Sequence, residues 1–102
     1  MSLIISPSSR FNDVVVKTGN YNITTSDSVI VANATSGQLT LTLPLAGTAK
    51  GITYRIKKVD NINYVIIDAN GAETIDGLPN CELRHQYQSV DLSCDGINWY
   101  IL

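Results

Sequence analysis

The sequence alternates apolar and polar residues with a period of two, and this pattern restricts the chain to β structure. Leu39, Leu41 and Leu43 alternate with threonines before Pro44, so the three leucines share one face of a strand. Residues 89–94 alternate in the same way, and no stretch shows the apolar stripe of a helix. Runs rich in β-branched and aromatic residues predict further strands at residues 14–16, 21–25, 29–31, 54–59, 64–67 and 98–102.

Glycine-containing turn pairs separate these runs. Asp95-Gly96 stands between two apolar runs and predicts a tight hairpin. Similar turn pairs occur at Gly19-Asn20, Ser36-Gly37, Asn70-Gly71 and Asp76-Gly77. Residues 45–50 fit either one short helical turn or a plain loop. Short strands at this regular spacing predict an all-β fold: a small antiparallel sandwich, jelly-roll-like, in a single domain.

The length of 102 residues is that of one domain, and no change of composition marks an internal boundary. We expect residues 1–19 to form an N-terminal lead-in with the first strand or strands and to contact a neighbouring subunit. Residues 20–102 are expected to form the β module itself.

The sequence contains few charged residues, and they are spread evenly along it. Charged residues make up 16% of the chain, against about 25% in typical soluble domains. Serine, threonine and asparagine take their place, which suits a domain repeated at high local density on a particle. The net charge is −2 and the lysines and arginines form no cluster, so we expect no nucleic acid partner. No apolar segment approaches the about 20 residues of a membrane helix, so no membrane insertion is expected.

Residue types that carry catalysis or bind metals are few. His85 is the only histidine, and no nucleophile motif such as Gly-x-Ser-x-Gly accompanies it. Cys81, His85 and Cys94 match no zinc-binding spacing. We therefore expect no enzyme activity, no catalytic residue, no metal and no cofactor. Cys94 lies on the apolar side of its strand, which favours a buried thiol, although a disulfide with Cys81 stays open.

Acidic residues recur near the turns of the sequence. Their spacing lacks the dense alternation of a calcium-binding loop, so we interpret them as turn residues that accept backbone hydrogen bonds. They are Asp60, Asp68, Glu73, Asp76 and Asp95.

Aromatic residues supply the one sequence hint of ligand binding. Trp99, Tyr54 and Tyr64 are candidates for a platform that stacks on sugar rings. The alternative is that the tyrosines lie at strand ends, with the ring buried and the hydroxyl in water. The sequence leaves both interpretations open.

Beyond these patterns, an ordered set of motifs covers residues 20–102. Together they resemble a β-rich module of tailed-bacteriophage virion proteins, of the tail fibre, tailspike, head fibre or capsid decoration type. The motifs are Tyr21-x-Ile23-Thr24-x-x-Asp27, Leu39-Thr40-Leu41-Thr42-Leu43-Pro44, Gly51-x-x-Tyr54-x-Ile56-Lys57-Lys58-x-Asp60, Val65-x-Ile67, Glu73-Thr74-Ile75-Asp76-Gly77 and Tyr87-x-Ser89-Val90-x-Leu92-x-x-Asp95-Gly96-x-Asn98-Trp99.

The resemblance implies a structural, non-enzymatic component of a phage virion that forms a homotrimeric knob, decoration or fibre domain. Its partners would be copies of itself and other virion proteins. It does not say which virion part the chain belongs to. The alternative function is a carbohydrate- or receptor-binding module that mediates attachment to host-cell glycans.

Two of these motifs are interpreted as structural. Glu73-Thr74-Ile75-Asp76-Gly77 predicts a short strand that runs into a tight turn, in which Asp76 accepts the turn's amides and Gly77 takes a positive φ. Asp95-Gly96-x-Asn98-Trp99 predicts the last hairpin, with Trp99 filling one end of the core.

Overall fold

The first six strands along the chain alternate between two sheets. A computed structural model of the protein describes residues 14–102. In chain order its elements are β1 (Val14–Lys17), β2 (Tyr21–Asn22), β3 (Val29–Ala32), β4 (Leu39–Thr42), a 3₁₀ turn (Ala46–Thr48), β5 (Thr53–Lys58), β6 (Val65–Asp68), β7 (Asn80–Leu83), β8 (Ser89–Cys94) and β9 (Trp99–Ile101). The five-stranded first sheet has the order β1-β3-β5-β8-β9, and the four-stranded second sheet has the order β2-β4-β6-β7.

The first six strands wind as a short solenoid. In the first sheet β1, β3 and β5 are parallel neighbours, and in the second sheet β2, β4 and β6 are parallel neighbours. Each successive pair, from β1–β2 to β5–β6, is therefore one coil stacked on the last. The strands β7, β8 and β9 then pair antiparallel and finish the two sheets. The protein is thus a small domain that is almost wholly β, with two mixed sheets.

The mixed sheets correct the predicted antiparallel sandwich. A jelly roll is built from antiparallel Greek keys, and the parallel ladders here do not establish one. A period of two shows which side chains face inward, but it carries no information on the direction of the neighbouring strand. Parallel strands need a long crossover between them, and here a strand of the opposite sheet forms each crossover.

The inward faces of the strands form the core as the alternation predicts. Leu39, Leu41 and Leu43 are fully buried. Between coils, like residues stack in register, with Ile30 beside Ile56 in the first sheet. Burial of such aliphatic side chains is the main term that favours the folded state.

Most predicted strands are found, but β7 was missed. Its residues, Asn80–Leu83, include a single aliphatic side chain and show no alternation. Of the two alternatives predicted for residues 45–50, a short helical turn or a plain loop, the structure has the helical turn, a 3₁₀ turn at Ala46–Thr48. Of the N-terminal region, Val14–Lys17 forms β1, whereas the predicted lead-in at residues 1–13 lies outside the described residues. No helix in the described part is long and apolar enough to cross a membrane.

A buried ion pair joins the second coil to the third. Lys58 Nζ lies 3.2 Å from Asp60 Oδ2, and both side chains are buried. Asp60 Oδ1 accepts a hydrogen bond from the Ala34 amide at 2.8 Å, while Oδ2 accepts from the amides of Ile62 and Asn63 at 2.9 and 3.1 Å. The Lys58 ammonium also donates to the Asp60 carbonyl. Every charged group of the pair therefore has hydrogen-bonding partners.

These contacts set the ionisation of Asp60. Burial disfavours the charged carboxylate and raises its pKa, but three backbone amides and the Lys58 ammonium stabilise the charge. The hydrogen bonds outweigh burial, and the pKa of Asp60 lies well below its ordinary range.

Replacing Asp60 should destabilise the fold strongly. Asp60→Ala leaves the buried Lys58 ammonium without its counter-ion and removes the acceptor of the Ala34, Ile62 and Asn63 amides, and we expect a loss of about 3–5 kcal/mol in the free energy of unfolding. The control is Asp91→Ala, which breaks the exposed pair between Arg55 and Asp91 and should cost far less. Urea denaturation of both variants measures the difference, and equal losses would contradict a structural role for the buried pair.

The same carboxylate predicts the sign of the acid dependence. Because its folded pKa is lower than the unfolded value of about 3.9, its contribution is complete above that pH and is lost as pH falls through the folded pKa. Asp60→Asn should therefore show a shallower loss of stability below about pH 4 than the wild-type chain.

Candidate functional site

The two structural motifs, residues 73–77 and 95–99, lie side by side at the far edge of the first sheet. The Trp99 amide donates to the Thr74 carbonyl at 2.9 Å, and the Asp76 amide donates to the Trp99 carbonyl at 3.0 Å. Ile75 thereby forms a parallel bridge with Trp99. The predicted short strand is thus reduced to isolated bridges, but it covers the outer edge of β9.

Asp76 completes this covering in a way that the sequence did not indicate. Its Oδ1 accepts a hydrogen bond at 3.1 Å from the amide of Ile101, the next outward-facing amide of β9. The prediction that Asp76 accepts the amides of its own turn is therefore wrong. We call residues 74–76 together with this carboxylate the β9 clasp.

The turn beside the clasp is a tight hairpin of the I′ kind. Ile75 and Leu78 exchange two backbone hydrogen bonds, at 2.6 and 2.9 Å. Asp76 has φ +50° and Gly77 has φ +83°, which is the pattern of that turn. Gly77 takes the positive φ expected from the sequence.

The last hairpin is organised by Asp95. Its Oδ1 accepts from the amides of Ile97 and Asn98, both at 2.8 Å, and its Oδ2 accepts from the Tyr100 hydroxyl at 3.1 Å. The two amides, that of Asn98 foremost, lower the pKa of Asp95. Gly96 follows with φ +97°. These contacts connect β8 to β9 as the predicted hairpin.

Two further motif residues tie this region to its surroundings. Asn98 Oδ1 accepts from the Thr74 amide at 2.9 Å, which joins the hairpin to the clasp. Both carboxylate oxygens of Glu73 accept from the Ala46 amide, at 3.0 and 3.1 Å. The polar groups of the two motifs are therefore engaged in holding the fold.

Two of the three residues proposed for sugar stacking cannot contact a ligand. Trp99 and Tyr54 are fully buried, with ring centroids 5.6 Å apart. Burial raises the pKa of Tyr54 to about 12, and its hydroxyl donates to the Thr24 carbonyl at 2.7 Å. The interpretation of this pair as a sugar platform is therefore wrong, because both rings lie within the core.

Tyr64 is the one of the three whose ring reaches the surface. Its side chain is 44% exposed, and the Arg84 guanidinium lies 4.9 Å from the ring centroid. Gln38, Ile62 and Asn63 line a shallow depression beside it. Of the three aromatic residues proposed for sugar stacking, Tyr64 is therefore the one whose ring a ligand could reach, and it lies beside this depression.

The chain also contains two cysteines and the residue types that bind metal ions, which are His, Cys, Asp and Glu. Cys81 and Cys94 are free thiols on strands of different sheets. Burial, followed by the nearby carboxylates of Asp76 and Glu82, raises the pKa of Cys81 to about 11. Within residues 14–102, no three His, Cys, Asp or Glu side chains are placed to hold a metal ion.

The opposite edge of the first sheet is open among the described residues. Val14 and Val16 on β1 are 65% and 61% exposed. The Lys17 carbonyl accepts from Asn33 on the β3 side at 2.9 Å. In a parallel ladder the backbone groups of alternate residues point the same way, so those of Val14 and Val16 point away from β3.

Half-buried valines extend this surface onto the next strand. Val29 lies beside Val14 in register, and Val31 lies beside Val16. We call these four valines, together with the backbone groups of Val14 and Val16 that point away from β3, the valine edge. Its sequence signal was present as two unbroken apolar runs, which predicted strands but not an exposed apolar surface.

Charged groups next to the valine edge are engaged within the chain. Arg55 and Asp91 form an ion pair at 2.8 Å. The Lys57 ammonium donates to the Tyr87 carbonyl at 3.1 Å, and the Lys17 ammonium lies 3.9 Å from the centroid of the Tyr21 ring. The valine surface is therefore bordered by one neutralised ion pair and by two lysines whose ammonium groups contact other parts of the chain.

Comparison with protein-family models and with curated proteins finds no match for this chain. The resemblance to phage virion modules thus stays a prediction from the sequence motifs.

The clasp turn should depend on glycine at position 77. Gly77→Ala places a Cβ at φ +83° and should cost about 1–2 kcal/mol of stability. The matched control is Gly37→Ala, since added Cβ atoms at both positions meet open space but Gly37 has no positive φ. That variant should be neutral or stabilising by up to about 1 kcal/mol. Thermal unfolding compares the two, and an equal effect would show that turn conformation is unimportant here.

Proposed function

We propose that this chain is a structural, non-enzymatic domain of a tailed-phage virion that assembles into a homotrimer. The observation that carries the proposal is the difference between the two edges of the first sheet. The β9 edge is covered by the clasp, whereas the β1 edge is open among the described residues and is flanked by exposed valines. An edge of this kind is a template for association with another chain.

The coil architecture supports the same proposal. Stacked repeats bury their apolar faces against neighbours, and terminal repeats normally carry a polar cap. Here β7, β8 and β9 act as such a cap at one end, and the described part of the chain shows no equivalent cap beyond β1. A partner at that end would complete the stack. The motif resemblance over residues 20–102 points to a virion as the place where copies of the chain and other virion proteins meet.

The proposed assembly predicts the mass of the purified protein. Multi-angle light scattering at micromolar concentration should give the mass of three chains, and immunogold labelling of purified phage particles in negative stain should place the chain on the virion. A clean monomer at that concentration would argue against the trimer. Unlabelled particles would argue against the virion assignment.

The surface around Tyr64 favours a second candidate function, a receptor-binding module for host-cell glycans. An exposed aromatic face beside amide side chains suits stacking and hydrogen bonding to a sugar. Tyr64→Ser should then abolish binding on a glycan array. Tyr100→Ser is the matched control, because Tyr100 is also 44% exposed. An array without signal for the wild-type chain would remove this candidate.

A further inference from the structure

We infer that the valine edge is the surface through which copies of this chain meet one another. The inference rests on the proposed assembly function and assigns it to one part of the molecule. The occupant of the valine edge is a second copy of the same chain.

The first support is the apolar character of both faces of β1 and β3. Parallel strands are normally covered on both faces and then read as unbroken apolar runs. Val15 and Ile30 face the core, while Val14, Val16, Val29 and Val31 point outward and remain half-buried or exposed. The outer face of this strand pair has the composition of a buried surface.

A second support is that the other sheet edges carry features that hinder pairing with another chain. Natural proteins blunt sheet edges with charge, with very short strands or with covering segments. The clasp covers β9, β2 has only two residues, and β7 carries Glu82, which pairs with Arg84 at 2.7 Å. Of the four edges in the described part, β1 is the one with three consecutive uncharged residues and no covering segment, and its one charged residue, Lys17, has its ammonium over the Tyr21 ring.

A third support is electrostatic and favours an identical partner. The valine edge has no charged side chain of its own, and beside it Arg55 and Asp91 neutralise each other in an ion pair. Lys57, whose ammonium donates to the Tyr87 carbonyl, is the one net charge among these three residues, so copies that meet through the valines bring little like charge together. A strongly basic partner would find no unpaired carboxylate among them.

The clasp excludes one arrangement of the copies. Open stacking would require β1 of one copy to pair with β9 of the next, but the outer amides of β9 are already bonded to Thr74 and Asp76. In the proposed trimer the three valine edges would instead converge on the three-fold axis, where the valine side chains of neighbouring copies pack together. A ring of three copies is closed, whereas repeated pairing of β1 with β9 would extend as an open filament.

The test uses the full chain and replaces exposed valines. Val14→Thr with Val16→Thr removes apolar contact, and the concentration at half dissociation in analytical ultracentrifugation should rise at least about tenfold. Val16→Lys places like charges at the contact and should give a monomer. Ile97→Lys and Ile97→Thr are the controls, because Ile97 is 70% exposed and lies in the β8–β9 hairpin. They should leave the assembly unchanged.

Different failures have different meanings. An assembled wild-type chain whose mass is unaffected by Val16→Lys would overturn this inference and leave the proposed function standing. A monomeric wild-type chain would overturn both.

Hydrogen exchange distinguishes a second copy from other occupants. The amides of Val14 and Val16 should exchange fast in dilute protein and become protected as concentration rises. Equal protection at both concentrations would show that other residues of the same chain cover the edge, and it would overturn the inference. Circular dichroism of every variant confirms that the fold is retained.

Discussion

The Asp60 carboxylate joins parts of the chain that aliphatic packing alone would leave free to slide. Stacks of leucine, isoleucine and valine favour burial but do not strongly select one register, because neighbouring coils present similar side chains. Asp60 accepts from Ala34 in the second coil and is paired with Lys58 at the end of β5. A carboxylate with this set of donors has one satisfactory position. It sets the turn between β5 and β6, and through that turn the alignment of coils on which both sheet edges depend.

From this alignment the two ends of the first sheet acquire opposite properties. At one end, motif residues that are far apart in the chain combine to cover β9 with backbone and carboxylate acceptors. At the other end, β1, with its three consecutive valines, remains uncovered in the described part. The fold thus separates a covered edge from an edge that is open among the described residues. In the proposed assembly, copies would associate through the open edge, while the covered edge could not extend the contact into a filament.

Sequence patterns predicted the strands well and the topology poorly. The alternation at residues 39–43 identified the inward face correctly because side-chain direction is a local property. Strand direction depends on long-range pairing, so the parallel ladders were not visible. In the predicted strand at residues 54–59, the period of two places Lys58 on the same face as Tyr54 and Ile56, and this lysine on an apolar face was the available signal of a buried ion pair. Trp99 and Tyr54 were candidate binding residues by type, but residue type does not separate a core aromatic ring from an exposed one.

The order of the strands along the chain has a consequence for biosynthesis. The cap and the clasp are formed by residues that follow all three coils, so a nascent chain leaves the ribosome with its coils before its closure. Until β8 and β9 have emerged from the ribosome, the backbone groups of β5 that later pair with β8 have no partner strand. Ribosomes that are closely spaced on one messenger RNA would then bring the unpaired β5 edges of neighbouring nascent chains close together. Rapid docking of the final hairpin is therefore as important for a soluble product as the stability of the finished molecule.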